Sequence, residues 1–251
     1  MSSHAGRVAV VTGGAAGIGQ AYAQRLAADG ANVVVGDIAD GAETVALVEA
    51  AGAEGLAVRC DVADAEDVAA LAAAARERFG KVDILVHNAG IYPICEFKDM
   101  TFEDWRKVLS VNLDSMFHVC HEFLPGMREQ GWGRILCIAS TTFHDGTPGM
   151  SHYVASKGGL IGFLRSLAAE IGEDGVTINA LAPSLVRSKG TIEGPHEEMG
   201  LFEFVAQGQA IKRTQEPADL VGACSFLTSD DASFITGTHV VVDGGALAQA
   251  G

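Results

Sequence analysis

The sequence predicts an α/β fold: a doubly wound, seven-stranded parallel sheet with helices on both faces, in one domain over residues 1–251. Three observations carry this expectation. Short Val- and Ile-rich runs alternate strictly with helical patterns along the chain. Those runs are nearly continuous in hydrophobicity, as strands covered on both faces must be. A glycine-rich turn joins the first run to the first helix. A chain of 251 residues is also long enough to bury a substantial core.

Strands are expected at 8–12, 32–37, 55–60, 84–88, 134–139, 176–181 and 239–242. The first two read Val-Ala-Val-Val-Thr and Asn-Val-Val-Val-Gly-Asp, too short for helices and rich in β-branched side chains. Between the strands, apolar residues recur at helical spacing over 18–29, 42–51, 65–79, 102–128, 153–172 and 217–227. No short repeat or low-complexity linker interrupts the alternation. Such a sheet binds its ligand outside the carboxyl ends of the strands.

One segment breaks the rhythm. Residues 184–215 form a long insertion carrying Gly190, Gly194, Pro195, Gly200 and Gly208. Its stretch Met199-Gly-Leu-Phe-Glu-Phe-Val205 is apolar enough for a short covering helix. Long insertions in compact domains serve as lids or binding loops, so a substrate lid is expected here, with a subunit contact as the alternative.

Charge excludes some partners. Seventeen Lys and Arg against 32 Asp and Glu leave a formal charge of −15, a field that repels nucleic acid and anionic membranes. Met-Ser-Ser-His-Ala-Gly-Arg7 lacks the apolar core of a signal peptide, and no apolar stretch is long enough to cross a bilayer, which points to a cytoplasmic protein. Cysteines 60, 95, 120, 137 and 224 are odd in number and form no Cys-x-x-Cys, so they read as buried thiols in a reducing compartment. His118, Cys120 and His121 lie close together but cannot all share one helix face, and no metal is expected.

The glycine-rich turn is Thr12-Gly-Gly-Ala-Ala-Gly-Ile-Gly19. Gly13, Gly17 and Gly19 allow a tight turn, close approach of a pyrophosphate and packing of helix on sheet, while Ile18 opens the helix whose free amides face the phosphates. Eighteen residues beyond Gly19, Asp37 ends the second strand. A carboxylate there accepts hydrogen bonds from ribose hydroxyls and repels a 2′-phosphate. Gly14, Ala15, Ala16 and Ile38 supply no cation to reverse that choice, so NAD is expected over NADP. Asp61-Val62 closes the third strand, where a side chain can meet the adenine, and Asn88-Ala89-Gly90 closes the fourth, where small residues let a dinucleotide lie against the backbone.

The chemistry is expected further along. Tyr153 and Lys157 stand four residues apart, one turn along a helix face, and Ser140 lies thirteen residues before Tyr153 at the end of an apolar run. An ammonium so placed stabilises a phenolate, which is a base strong enough to take a proton from an alcohol. Free tyrosine titrates near ~10, so work near neutrality requires a depression of its pKa. In isolation the pair reads more readily as two surface residues on one helix.

Taken with the dinucleotide motifs, the pair gives the chain a resemblance to the short-chain dehydrogenase/reductase family, over essentially its whole length. The matching residues are Thr12-Gly-x-x-x-Gly17-x-Gly19, Asp61, Asn88-Ala-Gly90, Asn112, Ser140, Tyr153-x-x-x-Lys157 and Asp243-Gly-Gly245. The resemblance implies a Rossmann fold and NAD-dependent interconversion of an alcohol and its ketone. Tyr153 would be the general acid/base, and Ser140 would orient the substrate oxygen. Lys157 would hold the ribose and lower the tyrosine pKa, and Asn112 would anchor a water joining Lys157 to solvent. Pro183, Val186 and Ser188 would meet the nicotinamide end, although Ser184 stands where the family has glycine. A homotetramer is implied too, with Phe117, Phe123, Leu160, Phe163 and Leu167 supplying apolar surface on the two long central helices.

Within the family, Asn88-Ala-Gly-Ile-Tyr-Pro93 and Ala182-Pro-Ser-Leu-Val-Arg187 resemble aryl secondary-alcohol dehydrogenases of the 1-phenylethanol dehydrogenase kind. Gly146-Thr-Pro148 and 188–205 resemble pyridoxal 4-dehydrogenases. Tyr92, Pro93, Ile94, Thr142, Phe143, His144, Met150, Leu185, Met199 and Phe202 are expected to border the chemistry and, being mostly apolar, to suit a hydrophobic or aryl alcohol or ketone. His144 is either a polar handle or a loop-surface residue, and His152 is expected to be structural. Pyridoxal oxidation, a 3-oxoacyl reductase and a non-enzymatic dinucleotide sensor are the other readings. The last conflicts with an intact Ser140, Tyr153 and Lys157.

Overall fold

The carboxyl ends of three neighbouring strands meet at one level, because Thr12 pairs with both Gly36 and His87 across a parallel sheet. This computed structural model describes residues 3–249; the first two and last two positions of the expected 1–251 domain lie outside them. Seven strands, β1 (Val8–Thr12), β2 (Asn32–Asp37), β3 (Gly55–Arg59), β4 (Ile84–His87), β5 (Gly133–Ile138), β6 (Val176–Pro183) and β7 (His239–Val242), form one sheet in the order β3-β2-β1-β4-β5-β6-β7, with every pairing parallel. This is the doubly wound Rossmann architecture that the sequence predicts.

The helices are α1 (Gly17–Ala28), α2 (Ala42–Ala50), α3 (Ala65–Phe79), α4 (Phe102–Leu109), α5 (Ser115–Gln130), α6 (Thr142–Asp145), α7 (Ser151–Ile171), α8 (Lys189–Ile192), α9 (Leu201–Gly208), α10 (Val221–Leu227) and α11 (Ala246–Gln249). The sheet divides the core in two. Tyr22 and Leu26 of α1 and Cys224 of α10 pack on Val33, Val35, Ile84 and Leu136. On the other face Leu71 of α3, Met116 and Phe123 of α5 and Leu160 and Leu164 of α7 pack on Val10, Val34, Leu85 and Ile135.

The helix expected over 102–128 is interrupted. Ser110–Asp114 forms a π-helical turn between α4 and α5. Asn112 lies within it, buried, with its amide Oδ1 accepting from Ile91 N at 2.8 Å and its Nδ2 donating to Ile91 O at 2.8 Å. The widened turn admits this two-way bond to the segment after β4. Likewise 217–227 divides into a 3-10 turn, Pro217–Asp219, and α10. The short α6 has no periodic pattern to announce it.

Gln215 closes the base of the insertion. Its Oε1 accepts from Ser184 N at 3.0 Å, its Nε2 donates to Val242 O at 2.6 Å, and its carbonyl accepts from Arg187 N at 2.8 Å. The two ends are thereby fixed to β6 and β7, while α8 and α9 rise between them.

Two expectations need correction. Cys60, Cys120, Cys137 and Cys224 are buried, but Cys95 is half-buried in the loop after β4, beyond the sheet's cover. Phe123 and Leu160 contribute nothing to an external face, since both are spent on the chain's own core. Phe117 instead is 59% exposed on α5, stacked on His121 one turn later. Among the described residues no helix is long and apolar enough to cross a membrane.

Candidate active site

A cavity of about 1630 Å³ opens along the carboxyl ends of the strands, running from Asp37 to Tyr153. At its first end the turn after β1 lies directly on the segment after β4. Gly13 has φ +63°, and a Cβ there would come 2.8 Å from Ala89 Cα. Asn88 fastens the contact, donating from Nδ2 to Gly13 O at 2.9 Å and Thr12 O at 3.2 Å. Gly17 and Ile18 line the cavity at the start of α1, whose N-cap residue Ala16 provides no side-chain acceptor for the first amides. Those unpaired N–H groups fit an anionic pyrophosphate. Gly19 corrects the expectation that it borders the cofactor: it is buried beneath the loop, where any Cβ would strike the Gly13 carbonyl, so it serves helix packing.

Asp37 faces the cavity and organises its rim. One carboxylate oxygen accepts from Ala15 N at 2.9 Å and the other from Ala39 N at 2.9 Å. Exposed Ile38 stands beside it, and no Arg or Lys joins this end of the lining. Asp61 and Val62 form the far wall, with Asp61 Oδ1 accepting from Ala63 N at 3.0 Å. Asn88, Ala89, Gly90, Pro183, Val186 and Ser188 continue the lining inward. The expected dinucleotide residues thus form one continuous surface, Gly19 excepted, and it fits a nicotinamide dinucleotide. Ala15, Ala16 and Ile38 also line it and were named in the sequence only as positions lacking a cation.

Below this surface His87 is held in a buried chain, 2.9 Å from Thr12 Oγ1 and 2.8 Å from Ser115 Oγ. Burial, aided by the Lys157 charge, pushes its pKa down to about 3, so it stays neutral.

At the inner end β5 delivers Ser140, whose Oγ accepts from Thr142 N at 3.2 Å and Thr142 Oγ1 at 2.9 Å. Tyr153 and Lys157 project from successive turns of α7 into the same space. Lys157 Nζ lies 5.5 Å from the centre of the Tyr153 ring and donates to Ile138 O at 2.6 Å. The expected depression of the phenol is not found in the protein alone. Burial pushes Tyr153 up to about 12, the Ser140 hydroxyl works against the rise, and Tyr92 adds to it. Burial likewise pushes Lys157 down to about 8. In a low-dielectric site each charged form is penalised, and Lys157 spends its shortest hydrogen bond on a carbonyl rather than on the phenol.

Asn112 does not line the cavity. Its amide is committed to Ile91 and, at 3.3 Å, to Ser156 Oγ, which in turn donates to Tyr153 O at 2.7 Å. The side chain therefore ties α7 to the loop after β4. His152 is fully buried and its Nδ1 accepts from Tyr153 N at 3.0 Å, taking up an amide of the first turn of α7.

Tyr92, Ile94, Thr142, Met150, Leu185 and Met199 line the inner pocket as expected. His144 does not: it points to β7, with its Nε2 3.1 Å from that of His239. Phe202 does not either. It is buried under the insertion against the Arg187 guanidinium, 5.4 Å from the ring centre, while Arg187 pairs with Glu197. Residues two apart on a helix face different ways, so α9 turns Leu201, Phe204 and Val205 to the cavity instead. Pro93 and Phe143 lie outside the lining; Phe143 packs over Gly158. The sequence reading also missed Glu193 and His196, polar residues between the two insertion helices. Glu193 and His196 stand among Lys189, Thr191, Glu197 and Glu198, so polarity alone gave no signal that these two face the cavity.

A family model described as enoyl-(acyl carrier protein) reductase matches residues 13–246. The chain is similar to the D-beta-hydroxybutyrate dehydrogenase of Rhizobium meliloti, 36% identical over 97% of this chain and 99% of that protein. It is similar as well to the 3-oxoacyl-(acyl-carrier-protein) reductase of Haemophilus influenzae, 36% identical over 96% of this chain and 98% of the other. Its backbone follows the crystal structure of a putative short-chain alcohol dehydrogenase from Sinorhizobium meliloti with a TM-score of 0.93, at 36% identity over 97% of both chains.

Proposed function

Because this chain belongs to the short-chain dehydrogenase/reductase family of oxidoreductases acting on alcohols or ketones, we propose that it interconverts a hydrophobic or aryl secondary alcohol and its ketone with NAD. The carrying observation is the convergence of Ser140, Tyr153 and Lys157 at the inner end of a cavity whose outer end holds Asp37.

Members of the family use nicotinamide cofactors. In this reading Gly13, Gly17, Ile18 and the first amides of α1 hold the pyrophosphate, Asp37 the adenosine ribose, Asp61 and Val62 the adenine. Asn88, Ala89, Gly90, Pro183, Val186 and Ser188 flank the nicotinamide half, which supplies the hydride acceptor or donor and a positive charge. Ser140, its own hydroxyl already directed by Thr142, orients the substrate oxygen. Tyr153 takes the alcohol proton in oxidation and returns it in reduction. Lowering its pKa from about 12 to near neutrality requires roughly 7 kcal/mol of charge stabilisation, and Lys157 is the protein group within reach. Asn112 and Ser156 hold α7 in register for this contact.

The insertion acts as the lid, with Leu201, Phe204 and Val205 excluding water from the reacting centre. Five unpaired cysteines suit the reducing cytoplasm. A homotetramer is part of this reading, supported by exposed Phe102 and Phe117 on α4 and α5. A 3-oxoacyl reductase is the second reading, favoured by the 36% identity to such an enzyme. Asp37 at the ribose end weighs against it.

A panel of secondary alcohols assayed with NAD and with NADP tests the proposal. Reduction of NAD by aryl carbinols in preference to small aliphatic alcohols supports it. Activity confined to NADP and acyl thioesters would favour the second reading.

A further inference from the structure

The inner pocket is not uniformly apolar, and two of its polar side chains, Tyr92 and His196, have no hydrogen-bond partner among the described residues. Tyr92 stands edge-on to Tyr153, ring centres 6.4 Å apart, and His196 stands edge-on to Tyr92 at 6.0 Å. Both line the cavity. Among the described residues no hydrogen bond is made by the Tyr92 hydroxyl or by either ring nitrogen of His196, although His196 is only 7% exposed and its Nδ1 is fully buried. Burial, with the nearby Glu193 carboxylate, raises the Tyr92 pKa, so its hydroxyl keeps its proton as a donor. The insertion holds this arrangement: the Tyr92 hydroxyl sits directly over Gly190, where a Cβ would collide with it. A hydrocarbon substrate that sealed the pocket would leave these groups dry and unpaired, which disfavours its binding.

We propose that Tyr92 and His196 form a second polar subsite that selects substrates carrying a neutral hydrogen-bonding oxygen, a hydroxyl or carbonyl, about one ring's breadth from the reacting carbon. The subsite rests on the secondary-alcohol reading above and refines its substrate class. Tyr92 donates to the second oxygen, and His196 donates or accepts according to tautomer, so ketones and alcohols are both accommodated. Glu193 lines the same wall, so a carboxylate at this position is repelled.

The test compares acetophenone with 3′- and 4′-hydroxyacetophenone and 4-acetylbenzoate, using wild type, Tyr92→Phe and His196→Leu with NADH. In wild type the better hydroxylated ketone should exceed acetophenone in kcat/KM by about ten- to a hundredfold, and 4-acetylbenzoate should fall below it. Each variant should bring the hydroxyl preference towards unity. A wild-type ratio near one, or a ratio unchanged in both variants, overturns the subsite while leaving the alcohol-dehydrogenase reading standing. If none of these ketones is reduced, that reading fails, and the subsite is then decided by calorimetric titration of the NAD-loaded protein with 3-ethylphenol and ethylbenzene. Tighter binding of the phenol by wild type, lost in His196→Leu, supports the subsite. Equal binding overturns it.

Discussion

Lys157 and Tyr153 are buried 5.5 Å apart, Nζ to ring centre, and their pKa values move apart, each in the direction that favours its own neutral form: the phenol rises to about 12 and the ammonium falls to about 8. Desolvation is the first cause of both shifts. Near neutral pH the phenol is therefore held protonated while Lys157 keeps most of its charge, and in the proposed reading that charge, with a cationic nicotinamide, lowers the tyrosine pKa. Such buried, perturbed groups in a cleft are where proton chemistry is to be sought.

The lysine shift has a consequence for stability. A lysine whose folded pKa is depressed from 10.5 to about 8 costs the fold most when charged in both states, below pH 8. Its penalty disappears as pH rises through the window between those values. Lys157→Met should accordingly be more stable than wild type at pH 7, by up to about 3 kcal/mol less the lost bond to Ile138, with the gap closing by pH 10. Urea unfolding midpoints across this range measure the gap; one independent of pH would place Lys157 in solvent.

Asp37 should set cofactor choice. Asp37→Ser removes the charge that excludes a 2′-phosphate, and the kcat/KM ratio of NAD to NADP should narrow by about one to three powers of ten. Because Asp37 also accepts from Ala15 and Ala39, affinity for both cofactors should fall as well. A ratio that does not change removes Asp37 from the ribose site.

The two phenylalanines of α9 should behave differently. Phe204, 74% exposed and lining the cavity, is free to meet substrate, whereas Phe202 is packed against Arg187. Phe204→Ala should raise KM for aryl ketones about tenfold or more while sparing small aliphatic ones. Phe202→Ala should impair both classes alike through a loosened lid. Reversal of that pattern would put Phe202 in the pocket.

Assembly is checked by light scattering. Four times the chain mass is expected at micromolar concentration, and Phe117→Glu should lower it, since that ring is 59% exposed on a long central helix. A wild-type monomer would contradict the proposed tetramer.

Much of the fold was legible because strand and helix periods are local properties. All seven strands fall where the Val- and Ile-rich runs predict, and strand order brings the dinucleotide motifs together at the carboxyl ends of β3, β2, β1 and β4. Gly13 and Asp37 stand at the turn and the strand end where the sequence puts them, because backbone geometry fixes both. The failures arose where tertiary contacts choose among faces. Phe202 and Phe204 are indistinguishable as apolar residues until Arg187 claims one of them. His144 was turned from the pocket by His239, ninety-five positions away. The raised pKa of Tyr153 in the protein alone was not legible, because its spacing to Lys157 reveals proximity but not the burial of both groups or the bond from Lys157 to the Ile138 carbonyl.

The proton-transfer role of Tyr153 is the centre of the account, and Tyr153→Phe tests it most directly. The variant keeps the ring that packs against Tyr92 and loses only the phenolic oxygen. Its NAD affinity, measured by calorimetry, should remain within a few-fold of wild type, while NAD reduction by an aryl secondary alcohol that wild type oxidises should be abolished. Robust turnover by Tyr153→Phe with that alcohol would contradict the account.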